Sequence, residues 1–114
     1  VDVNYENVGL TIQNGTLMGT SPEADGAQVL YSNSSLTLEG VTVDVKGEDI
    51  YGIVTNGTHV KNAIALKNST LNVPNGNGIY FPSTGTVTIE NSIINAKYVG
   101  VQMCADGHHS NRAA

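Results

Sequence analysis

The chain has 114 residues, a formal net charge of −5 and one cysteine, with 39% hydrophobic and 13% charged residues. That balance excludes a disordered polymer, because apolar burial outweighs charge repulsion, and a lone cysteine excludes an intrachain disulfide. The five positive residues are dispersed, so no nucleic acid partner is expected, and no apolar run nears the roughly 20 residues that cross a bilayer, so no membrane insertion is expected.

Five Tyr, one Phe and no Trp, with Gly, Asn, Thr, Val and Ile recurring, read as strands joined by tight turns. The chain opens at Val1 without Met, the expectation being a mature product or a segment of a longer protein.

In chain order, "VDVNYENVG" (1 to 9) predicts a partial strand, and then a unit begins that recurs. "LTIQNGTLMG" (10 to 19), "LTLEGVTVDV" (36 to 45), "IALKNSTLNV" (64 to 73) and "VTIENSIINA" (87 to 96) align without gaps. The coils therefore start near 10, 36, 64 and 87, a solenoid period of roughly 25 residues with connections of unequal length.

Successive strand residues point to opposite faces, so the alignment assigns sides. Leu10, Leu36, Ile64 and Val87 form one inward column and Ile12, Leu38, Leu66 and Ile89 the next. Gln13, Glu39, Lys67 and Glu90 face out. Asn14, Gly40, Asn68 and Asn91 follow, types that tolerate a left-handed backbone, and predict a bend into a second strand. That strand points Leu17, Val43, Leu71 and Ile94 inward, and Met18, Asp44, Asn72 and Asn95 outward. A third strand follows a variable loop as "YGIVT" (51 to 55), "NGIYF" (77 to 81) and "VGVQM" (99 to 103), with "AQVLY" (27 to 31) as a looser first version. Ile53, Ile79 and Val101 form its inward column.

The apolar spacing of two excludes helical repeats. The prediction is all-β: a right-handed parallel β-helix solenoid of about four coils with three short strands per coil. It is read as one segment spanning 1–114, with "CADGHHSNRAA" (104 to 114) as an aperiodic tail. Neither terminus carries a helical cap pattern, so the segment is expected to belong to a longer solenoid or to associate end to end.

These coils resemble the pectate-lyase-like superfamily of right-handed β-helices, whose members carry an asparagine ladder at such a bend. Asn14, Asn68 and Asn91 match that ladder and Gly40 departs from it. Within the superfamily, "NGNGIYFPSTGTVTIENSIINAKYVGVQ" (75 to 102) is most similar to repeats of cell-surface proteins of gut-dwelling bacteria, and less so to autotransporter passenger domains. The resemblance covers about residues 10 to 103. It implies a fold and an extracellular or bacterial cell-surface setting.

Enzymes of that superfamily cut acidic polysaccharides with several charged groups converging on one face. Here the carboxylates are scattered: Glu39 and Glu90 share a column but lie two coils apart with Lys67 between them. No catalytic residue and no cofactor is assigned. The preferred reading is a noncatalytic adhesive or stalk scaffold that meets a polysaccharide or host-surface ligand. The alternative is a fragment of a polysaccharide lyase or glycoside hydrolase whose catalytic residues lie elsewhere.

Tyr31, Tyr51 and Tyr80, with Tyr98 beyond them, lie along the third-strand side, where aromatics either stack sugars or, since these do not fall in one column, cover seams between coils. Asp44, Glu48 and Asp49 are oxygen ligands near one loop and form a calcium candidate, although their spacing fits a solvated turn better. Cys104, His108 and His109 are too few for a metal site and fall in the tail. Four N-glycosylation acceptors, at Asn14, Asn33, Asn56 and Asn68, are read as turn chemistry. Outward Thr11, Thr37 and Thr88 are interrupted by Ala65, too irregular for an ice-matching plane and ordinary for exposed strands.

Overall fold

A computed structural model describes residues 1–57, 60–105 and 108–112, the stretches 104–105 and 108–112 as backbone only. It is a parallel β-solenoid of about four turns, with no helix among the described residues. No helix of it is long and apolar enough to cross a membrane.

The first coil consists of β2 (Gly9–Gly19) and β3 (Ala27–Val29), preceded by the two-residue β1 (Asp2–Val3). The second consists of β4 (Ser34–Val45) and β5 (Tyr51–Thr55). The third divides into β6 (Lys61–Lys67), β7 (Thr70–Val73) and β8 (Asn77–Phe81), the fourth into β9 (Thr84–Glu90), β10 (Ile93–Ala96) and β11 (Val101–Ala105). A last strand, β12 (His108–Arg112), folds back antiparallel on β11, with Val101 opposite Arg112. The tail thus leaves the repeat by reversing direction.

One sheet runs β1-β3-β5-β8-β11-β12 and the other stacks β2, β4, β6/β7 and β9/β10. The predicted register of the second sheet holds residue by residue: Leu10 pairs with Leu36, Leu36 with Ile64 and Ile64 with Val87. Beyond the bend, Leu17 pairs with Val43, Val43 with Leu71 and Leu71 with Ile94.

The bend is a single left-handed residue per coil. Asn14, Asn68 and Asn91 have φ of 56°, 49° and 47°, and Gly40 has 65°. Asn and Gly occupy that region at least cost, so the chain turns there in one residue. In the first two coils the turn leaves strand pairing continuous on both sides, and β2 and β4 each run through it. In these two coils the expected first and second strands are one bent strand.

In the middle coils the inward columns are sealed by the coils above and below. Leu38, Val43, Ile53, Leu66, Leu71, Ile79 and Phe81 have no accessible surface, each buried side chain contributing about 1.5–3 kcal/mol. The first coil is shielded on one side only, so Leu10, Ile12 and Leu17 are half-buried, as are Val87, Ile89 and Ile94 of the last.

In the first coil the third strand sits two residues away from its expected register. Ala27, not Val29, lies beside Ile53, and Val29 lies beside Thr55. The reason is glycine. A Cβ at Gly26 would sit 2.5 Å from the Gly52 carbonyl oxygen and one at Gly52 2.8 Å from that of Gly78, while Gly78 stands in the same relation to Gly100. Coils approach too closely at this corner for any side chain, and Gly26 joins the column that fixes the pairing.

Candidate functional site

The bend positions form a stack on the solenoid surface. Asn91 Nδ2 donates to Asn68 Oδ1 at 2.6 Å, and one strand further on Asn95 Nδ2 donates to Asn72 Oδ1 at 2.8 Å. Both pairs are exposed, so the ladder is external. Gly40 interrupts it: a Cβ there would meet the Asn14 Oδ1 at 2.7 Å.

Just inside the ladder runs a serine stack that sequence reading missed. Ser69, buried, takes the Val41 N–H on its Oγ at 3.1 Å and donates to the Lys67 and Leu38 carbonyls; its own N–H goes to Ser92 Oγ at 3.0 Å. The Asn-Ser dipeptides at 68–69 and 91–92 were the available signal, absent from the first two coils, where Gly15 and Val41 follow the bend. At the corner leading into the second sheet, Asn62 links Ser34 and Ser83: its Oδ1 accepts from Ser34 N at 3.1 Å and its Nδ2 donates to Ser83 Oγ at 3.1 Å. All three are buried. These groups serve the frame.

Among the described residues no three His, Cys, Asp or Glu side chains group to hold a metal. Asp44 is engaged by Lys46 at 2.9 Å. Asp49 occupies a left-handed turn position at φ 56° and its N–H bonds the Asn75 carbonyl at 3.0 Å, so the turn itself calls for its residue type. Glu48 and Asp49 act instead on Lys97, whose ammonium is held above its ordinary 10.5 first by the Tyr98 hydroxyl and more weakly by these two carboxylates. Lys97 also lies 5.1 Å over the Tyr98 ring. The Cys104, His108 and His109 side chains lie outside the described residues. Of the glycosylation acceptors, Asn14, Asn33 and Asn68 have positive φ, as turn residues do.

The tyrosines separate. Tyr51 and Tyr80, in neighbouring coils, stack with centroids 5.2 Å apart and planes 22° apart. Tyr31 is exposed and stands outside the hollow these two border. That hollow, of about 270 Å³, is lined by Asp25, Gln28, Leu30, Tyr51, Val54, Thr55, Asn56 and Tyr80.

Its form follows from two outward columns of the first sheet. Gln28, Val54 and Tyr80 are consecutive partners in one, and Tyr51 pairs with Asn77 in the other, where Asp25 holds the Tyr51 N–H at 2.8 Å. Val54 is short between two long neighbours and makes the floor. A larger hollow of about 340 Å³, between Val1, Leu17, Met18, Gly19, Gly26 and Val45, is the open mouth of the first coil. Another, about 230 Å³, lies over Asn33, Lys61, Asn62 and Thr86. Comparison with protein-family models, with curated proteins and with solved structures matches this chain to none of them.

Proposed function

We propose that the chain is a noncatalytic β-helix segment of a bacterial surface or secreted protein, of the pectate-lyase-like kind, acting as a stalk or adhesive scaffold. It meets a glycan or host surface through its lateral faces, outside the cell. One observation carries this reading: three pairs of polar side chains on the exposed faces bond their own counterparts in the next coil. Gln13 reaches Glu39 at 3.3 Å, Asn91 reaches Asn68 and Asn95 reaches Asn72. Side chains committed to their neighbours stiffen a wall, whereas glycoside cleavage needs a carboxylate pair a few ångströms apart around an open bond.

A surface of this kind binds through many weak polar contacts and aromatic faces. The test is retention of the purified chain on a glycan array and on host epithelial cells. Retention is the expected result; its absence on both removes adhesion and leaves the stalk. Depolymerisation of any arrayed polysaccharide by the chain overturns the noncatalytic reading.

A further inference from the structure

The hollow beside Tyr51 carries one carboxylate that the fold does not require. Asp25 Oδ1 accepts the Tyr51 N–H at 2.8 Å. Two coils along the same column, Asn77 Oδ1 performs the same task, accepting the Val99 N–H at 3.2 Å. A neutral amide therefore suffices for the structural bond. At Asp25 the position bears a charge and a second acceptor oxygen instead, in a half-buried side chain that borders the hollow.

The other walls have matching chemistry. Tyr51 and Tyr80 supply ring surface, Gln28 and Asn56 supply amides that both donate and accept, and Val54 supplies an apolar floor. Among the described residues no Lys, Arg or His lines the hollow. Its volume of about 270 Å³ falls just under the roughly 300–1,000 Å³ of drug-sized pockets and has room for one ring.

Resting on the adhesive reading above, we infer that this hollow binds a single neutral pyranose unit of a glycan, its apolar face against the tyrosines and its hydroxyls donating to Asp25. A carboxylate is a strong acceptor for sugar hydroxyls and repels a uronate. The specificity is thus opposite to that of a site built for acidic polysaccharides, which needs cations.

The experiment is an NMR titration of the isotope-labelled full chain with neutral hexo-oligosaccharides and, separately, with oligogalacturonate. Asp25→Asn and Tyr51→Ala are run alongside, their folds checked by dispersion of the amide spectrum. Neutral sugars are expected to shift the amides of Asp25, Gln28, Tyr51 and Asn56. Each variant is expected to weaken that binding by about tenfold or more, and Asp25→Asn to keep its fold because Asn77 shows that an amide makes the bond. Should Tyr51→Ala lose its fold, Asp25→Asn decides alone. Shifts elsewhere, unchanged affinity in Asp25→Asn, or preference for oligogalacturonate overturn this inference and leave the adhesive reading standing. Retention on cells with no sugar-induced shift overturns the sugar site alone; absence of both removes adhesion with it.

Discussion

Asn91 donates a hydrogen bond to Asn68 across 23 residues of sequence, and the two share a left-handed backbone at φ 47° and 49°. One residue type thus meets two demands at once: it tolerates the bend, and its amide carries both a donor and an acceptor for the coils on either side.

Gly40 meets only the first demand. Asn should be accepted there, because it tolerates φ near +65° and the obstacle to its Cβ is the movable end of the Asn14 side chain. Gly40→Asn is expected to change stability by less than about 1 kcal/mol, whereas Gly40→Val, β-branched at positive φ, should cost about 1–3 kcal/mol. Urea denaturation of the two variants checks the difference.

Ser69 should be costlier to truncate than its neighbour in the stack, Ser92. Ser69→Ala orphans the Val41 N–H and removes a hydroxyl that also donates to backbone carbonyls, an expected loss of about 1–3 kcal/mol. Ser92→Ala, in the more open end coil, should cost less. Chemical denaturation and amide exchange at Val41 measure both.

Position in the stack should grade the core. Leu71 is fully enclosed by the second and fourth coils, whereas its column-mate Ile94 is half-buried at the end. Leu71→Asp is expected to abolish the fold by burying an unpaired charge, and Ile94→Asp to fray the last coil while the middle coils keep their protection. Hydrogen exchange resolved by residue separates the two outcomes; global unfolding of Ile94→Asp would show that the coils do not melt separately.

Lys97 should titrate above 10.5, and Tyr98→Phe should bring it back toward that value, since the Tyr98 hydroxyl is the first cause of the shift. A raised folded-state pKa gives a contribution that is complete below 10.5 and fades as pH rises through the folded value. Below pH 10 the substitution should leave the pH dependence of stability unchanged. The check is an NMR titration of the lysine ε-methylenes.

The second sheet was legible because its two strands and their bend recur with identical internal spacing, so that Leu36, Leu38, Gly40 and Val43 found partners in every coil. The first coil's third strand was not. Ala27 is too small to stand out as core, and aligning apolar bulk placed Val29 beside Ile53. The steric need for glycine at 26, 52 and 78, each pressed on the carbonyl of the next glycine in the column, decided otherwise. The Ser34–Asn62–Ser83 cluster was invisible for a related reason. Ser34 and Asn62 share a register position, but the last coil places Gly85 there and Ser83 two residues earlier, so no residue type recurs to mark it. The hollow at Asp25 depends on that same register and could not be drawn before Ala27 was placed.

The strands lie crosswise to the direction in which the coils pile up, and Val1 belongs to the first layer while β12 closes the last. Tension between the two ends therefore loads the inter-coil hydrogen bonds along their own length and one row at a time, as in opening a zipper. Such a tether should give way coil by coil, each release paying out one coil of slack, which single-molecule pulling between the two ends would show as discrete steps. A body pulled sideways across the coils would load a whole row together instead.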